Sequence, residues 1–169
     1  MSSISKSPIA AALLGALAIA AVGTAAAQEA VVGAGDAEAL FTSPDPKLHA
    51  NKQVVYRVVR DLLEANHWEL AEDLITERYI QHNPNAVSGR AGVVAYFTQV
   101  LKRAPTPIPA RISTPIVAVT AEGDLVTVLY PRVLPDKADP SKTYSTTWFD
   151  TWRIKDGKID EHWDPATRD

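Results

Sequence analysis

No cysteine occurs anywhere in the 169 residues, which excludes disulfides, thiolate metal sites, iron–sulfur ligation and a cysteine nucleophile together. An excess of positive charge is also missing, since 17 basic side chains stand against 20 acidic ones. Lys6 is the one charged residue before position 28, so the rest of the chain is slightly more acidic still. That balance argues against nucleic acid or another polyanion as a partner. There is no His-x-His, no His-Glu-x-x-His and no close acidic cluster to mark a metal site. Nor is there a glycine-rich phosphate loop: Gly33 and Gly35 lie near the N-terminus, while Gly89 and Gly92 flank a helix start. The sequence therefore indicates neither a metal nor a nucleotide cofactor. Ser145, Thr146 and Thr147 fall on a strand-like run without a nucleophile-elbow pattern. Chemistry is left to His, carboxylates, Tyr, Lys and Arg.

A long apolar run occurs once, at residues 9–22, after Lys6 and before the small residues Ala25, Ala26 and Ala27. This is the pattern of a secretory signal over residues 1–27, cleaved before Gln28. A membrane anchor is the alternative, but the run is Ala- and Gly-rich and ends in small residues rather than a basic stop. A secreted or periplasmic protein without a stable membrane anchor is the expectation. The remainder has the length of one domain. With 46% apolar and 22% charged residues overall, it is too hydrophobic to stay disordered.

Residues 28–45, rich in Ala and Gly, read as a flexible lead-in, and residues 46–169 as the domain. Asp45 is placed to cap a first helix, and Pro46 suits its first position because an N–H there has no intrahelical partner. Val55, Val58, Val59 and Leu62 recur at helical spacing until Asn66. Trp68, Ala71, Leu74 and Ile75 mark a shorter second helix ending before Tyr79. A third pattern, Val93, Phe97, Val100 and Leu101, runs until Pro105, Pro107 and Pro109 forbid it. The period then becomes two. Residues 111–120 and 125–134 form one expected hairpin, and residues 144–154 and 159–163 a second across Asp156-Gly157. Helices first and strands last indicate an α+β domain in which three N-terminal helices pack on one curved antiparallel sheet.

Of the four histidines, His49 and His67 sit near helix ends, where solvated or capping roles suffice. His82 lies in Tyr79-Ile80-Gln81-His82-Asn83-Pro84, which either rims a cavity or pins a loop. Trp148, Asp150, Trp152 and Ile154 share one strand face, placing an acid among indoles, where desolvation suits it to proton transfer. The competing reading pairs Asp150 with an arginine such as Arg132. Turn geometry governs whether His162 reaches Asp150. A two-residue turn sets Lys155 against Lys158 and sends His162 to the opposite face. A three-residue turn with a bulge sets Asp150 directly across from His162.

These strings, together with Ser88-Gly89-Arg90 and Glu122-Gly123-Asp124-Leu125-Val126, resemble the SnoaL-like polyketide cyclase group of the nuclear transport factor 2-like superfamily. The resemblance covers roughly residues 47–165. It implies a cone-shaped α+β fold enclosing an apolar pocket, frequent homodimerisation, and cofactor-free chemistry in which a pocket Asp or His removes a proton from carbon. Carried over, it places Asp150, His162 and His82 as catalytic positions. Trp152 stands where the family usually has an aromatic, and the expected site adds Tyr79 or Tyr96 as an oxyanion donor, Trp148, Trp152 and Trp163 as walls, and Asn83 beside them in substrate binding. The expected function is an exported lyase or isomerase acting on a small hydrophobic hydroxylated or carbonyl compound by aldol, dehydration or double-bond chemistry. The alternatives are a non-catalytic small-molecule-binding protein and a structural dimerisation module.

Overall fold

The structure is a computed structural model that describes residues 29–168; the leader expected at residues 1–27 lies outside the described residues. Helix α1 (Pro46–Arg57) begins as expected, with Asp45 Oδ1 accepting the amides of Lys47 and Leu48 at 2.8 and 2.9 Å. It continues as a wider π-type turn over Val58–Glu64. Val55, Val58, Val59 and Leu62 are all buried there, so the apolar stripe read from the sequence is the face that packs inward. The helix ends where Asn66 takes a positive φ of 62°.

A short turn, Trp68–Leu70, leads into α2 (Ala71–Leu74), and the chain then becomes a strand, β1 (Ile75–Gln81). The second helix was expected to run on almost to Tyr79. Instead Ile75 and Tyr79 are buried, and β1 pairs with the last strand of the chain, a long-range partner that local periodicity does not reveal. Helix α3 (Arg90–Ala95), continued by Tyr96–Val100, follows Gly89, whose φ of 93° suits glycine.

The remaining strands are β2 (Ala118–Glu122), β3 (Leu125–Pro135), β4 (Thr143–Lys155) and β5 (Lys158–Trp163). Both expected hairpins form, although the first strand starts later than residue 111. The five-stranded sheet has the order β1-β5-β4-β3-β2. It is mixed rather than wholly antiparallel, because β1 runs parallel to β5 while the other pairs are antiparallel. The helices lie against its concave face, over a core that includes Leu62, Leu74, Ile75, Ile116, Val126, Val128, Trp152 and Ile159. The architecture is thus the expected α+β one, with a curled sheet that does not close.

Residues 29–45 are not a detached lead-in. The Ala34 amide donates to the Ile116 carbonyl at 2.7 Å, the Val31 amide donates to Ser145 Oγ, and Phe41 is fully buried. Lys52 Nζ clamps this segment to the sheet by donating to the carbonyls of Leu40, Thr42 and Val119. Among the described residues no helix is long and apolar enough to cross a membrane.

Candidate active site

The β4–β5 register decides the site. Lys155 faces Lys158 and Ile154 faces Ile159 across a two-residue turn, with Asp156 and Gly157 at φ 51° and 74°. Continued unbroken, that register would send His162 away from Asp150. One extra residue in β5 intervenes, so Arg153 faces Glu161 and Trp152 faces His162. A single inserted residue exchanges the two faces of the strand beyond it. The result combines the two-residue turn with a bulge farther along, and it brings Asp150 and His162 to one face as diagonal neighbours.

Asp160 occupies the bulge and is almost fully buried. Its carboxylate accepts from Thr76 Oγ1 at 2.7 Å and from Arg78 Nε at 2.8 Å, both on β1. The Arg78 guanidinium holds the Asp160 carboxyl down at about 2 against the opposing effect of burial. The bulge is therefore anchored to the neighbouring strand by charge-assisted hydrogen bonds.

His162 Nε2 lies 3.1 Å from Asp150 Oδ1, and its Nδ1 lies 2.8 Å from Gln81 Oε1. The amide of Asn83 donates to the same Gln81 oxygen at 3.1 Å, which fixes that atom as the acceptor and so places a proton on His162 Nδ1. The contact between Nε2 and Oδ1 then needs one further proton, shared between imidazole and carboxylate. Trp148 Nε1–H also donates to Oδ1, at 3.1 Å. Oδ2 of Asp150 has no hydrogen-bond partner among the described residues, and so remains free to accept a proton.

Asp150 and His162 line a cavity of about 220 Å³ with Leu62, Phe97 and Trp152 among its apolar walls. Tyr79, Asn83, Tyr96 and Trp148 line it too. Tyr79 is buried beside Trp152, and burial holds its phenol well above the ordinary range, with the charge of Asp150 adding to the effect. Asn83 Nδ2 donates to Asp164 Oδ2 at 2.8 Å. Gln81 and Asp164, not singled out in the sequence, complete the polar end. Gln81 could have been found by alternation, since it precedes His82 on the strand.

Two expected site residues lie elsewhere. His82 stacks on Trp163 with ring centroids 4.7 Å apart and bonds Glu161 at 3.1 Å, and neither aromatic ring lines the cavity. Strand alternation explains this: Gln81 and His162 face inward, so their successors face outward. The expected alternative partner of Asp150 is also placed. Arg132 stacks over Trp148 at 4.5 Å, while Arg153 pairs with Asp124 and Glu161.

Asp150, His162 and Asp164 offer ligand atoms that all lie within 4.8 Å of one another, the geometry a cation would need. Both imidazole nitrogens already have partners, however, Gln81 on one side and Asp150 on the other. A metal would have to displace one of them.

Comparison with known proteins agrees with this architecture. The chain is similar in structure to a candidate polyketide cyclase from Acidithiobacillus ferrooxidans, at 16% identity and a TM-score of 0.51, over 73% of this chain and 89% of that one. It is also similar to a candidate SnoaL-like polyketide cyclase from Jannaschia sp. CCS1, at 19% identity and a TM-score of 0.50, over 73% and 91% of the two chains. At those identities the likeness concerns the fold. No curated protein matches at the level of sequence. The SnoaL-like domain profile matches residues 55–162, a span that includes the last turn of α1, all five strands but the final residue of β5, and both Asp150 and His162. The chain belongs to the SnoaL-like domain family.

Proposed function

We propose that this protein is a cofactor-free lyase or isomerase that removes a proton from carbon in a small hydrophobic compound bearing a carbonyl or hydroxyl group. One observation carries the reading: the Asp150–His162 pair at 3.1 Å, set in an apolar cavity with Asp150 Oδ2 unengaged. Asp150 Oδ2 is the base. His162, bonded to the other oxygen, shares the proton of the pair and supplies it to a departing hydroxyl or a carbanion, a division of labour general acid–base catalysis requires. Trp148, Trp152 and Tyr79 supply apolar walls that exclude water and strengthen these interactions. The cyclase descriptions of the structural relatives support the same class of chemistry. A non-catalytic binding protein would instead lock Asp150 against an arginine, and both Arg132 and Arg153 are engaged elsewhere.

Two further features belong to this reading. Export, through cleavage before Gln28, rests on the apolar run at residues 9–22. A homodimer rests on the outward face of β4, where Phe149 is 40% exposed, and sedimentation of the purified protein as a monomer would remove it.

The direct test places the purified protein in heavy water with a panel of hydroxylated aromatic ketones and follows proton NMR. Exchange or product in the wild type should fall by about 10²–10⁴-fold in Asp150→Asn, with folding intact. Equal rates in the two proteins would remove Asp150 from the role of base.

A further inference from the structure

The polar end of the cavity carries more negative charge than positive. Asp150 and Asp164 bring two carboxylates, with side chains 15% and 6% exposed, and the ion pairs of both run to His162, at 3.1 and 3.9 Å. Asp164 accepts at each of its oxygens, Oδ2 from Asn83 Nδ2 at 2.8 Å and Oδ1 from the Ala166 amide at 2.9 Å, the role of an ionised carboxylate. The proton shared by Asp150 and His162 makes that pair neutral as a whole, so the charge of Asp164 is left over. Among the described residues no lysine or arginine lines the cavity. Arg132 stacks on Trp148 and lines a neighbouring hollow instead. A charge held among apolar walls without a counter-ion is costly, and a ligand that brings the missing cation removes that cost.

We infer that the cavity takes a ketone whose apolar body carries a protonated amine, with the ammonium on Asp164 and the acidic carbon at Asp150 Oδ2. The inference rests on the proton-abstraction reading above and names the charge of its substrate. A carboxylate oxygen of Asp150, one of Asp164 and a ring nitrogen of His162 all lie within 4.8 Å of one another. An ammonium donating to Asp164 at about 2.8 Å therefore stands beside the base without displacing it. It needs only oxygen acceptors, so, unlike a metal ion, it leaves both imidazole nitrogens with their partners. Leu62, Phe97 and Trp152 receive the hydrocarbon part. The cation also serves the reaction. The C–H bond breaks, its proton goes to Asp150 Oδ2, and its electron pair passes into an enolate whose negative charge the ammonium stabilises. A ketone of the same size bearing a carboxylate would instead meet like charge, and repulsion is stronger among apolar walls than in water.

The test uses 3-acetylbenzylamine, 3-acetylbenzyl alcohol and 3-acetylbenzoate, three aryl ketones of nearly one shape that carry an ammonium, a hydroxyl and a carboxylate. Proton NMR in heavy water at neutral pH reads both Kd, by titration, and exchange of the acetyl methyl protons. The wild type should bind the amine about 10- to 100-fold more tightly than the alcohol, the range of a hydrogen bond to a charged group, and the benzoate most weakly. Asp164→Asn should bring the amine and the alcohol within about 3-fold of each other. Asp156→Asn, which removes the same charge at the exposed β4–β5 turn, should leave the order unchanged. Benzoate bound as tightly as the amine, or an amine that does not bind, would overturn the inference on the wild type alone, whether or not Asp164→Asn folds. An amine preference that persists in Asp164→Asn, or vanishes equally in Asp156→Asn, would overturn it too. Exchange lost in Asp150→Asn without any amine preference in the wild type would overturn it while leaving the base in place. Exchange indifferent to Asp150→Asn beside a clear amine preference would strike the base and leave the ammonium on Asp164.

Discussion

His162 Nε2 meets Asp150 Oδ1 at 3.1 Å although the two-residue turn joining their strands would by itself place them on opposite faces. The contact exists because Asp160 is inserted between the turn and His162. Three features are thereby linked: the bulge, its anchorage to β1, and the candidate catalytic pair.

Gln81 determines which nitrogen of His162 carries the fixed proton. Gln81→Leu removes that acceptor and lets the neutral ring take either tautomer. A ¹⁵N spectrum should show a protonated, hydrogen-bonded Nδ1 in the wild type and a tautomer mixture in the variant. Proton exchange should slow by about 10-fold through kcat rather than KM, in the range that mutation of groups orienting a histidine produces. An unchanged ¹⁵N spectrum would dissociate Gln81 from the pair.

Acid should weaken the fold through Asp160. Its carboxyl lies at about 2 in the folded protein against an ordinary 3.8. A depressed folded value stabilises above the unfolded one and is lost as pH falls from about 4 through 2. At neutral pH, Asp160→Asn should be less stable by about 2 kcal/mol, the free-energy equivalent of that depression. The gap should close below pH 2. Equal denaturation midpoints for the two proteins at pH 7 would refute the anchorage.

Chelation offers another check. Because both nitrogens of His162 are engaged, dialysis against EDTA should leave proton exchange unaltered, and calorimetric titration with Mg²⁺, Mn²⁺ or Zn²⁺ should show no tight site at Asp150, His162 and Asp164. Loss of activity on dialysis, restored by one of these ions, would replace the proton-sharing account with a metal-centred one.

Export predicts a defined terminus. Protein recovered from outside the cytoplasm should begin at Gln28, as read by N-terminal sequencing or intact mass. Retention of residues 1–27 would favour an anchor.

Local signals were legible wherever neighbouring residues suffice to specify the backbone. Asp45-Pro46 set the start of α1, Asn66 its end, and Asp156-Gly157 a tight turn, because caps and turns depend on atoms only a few residues apart. The inward face of β4 was equally legible, since alternation places Trp148, Asp150 and Trp152 together.

The sequence by itself determined an α+β domain, two hairpins, an acid among indoles and the absence of thiol chemistry, all consequences of residue type and short-range period. Tertiary structure decided the rest. It turned residues 75–81 into a strand because β5 offers a parallel partner, and it faced His82 and Trp163 outward. It also joined Asp150 to His162 through a bulge whose buried carboxylate is held from β1. A carboxylate that finds its guanidinium 82 positions away leaves no local trace, yet its insertion sets the face of every residue beyond it.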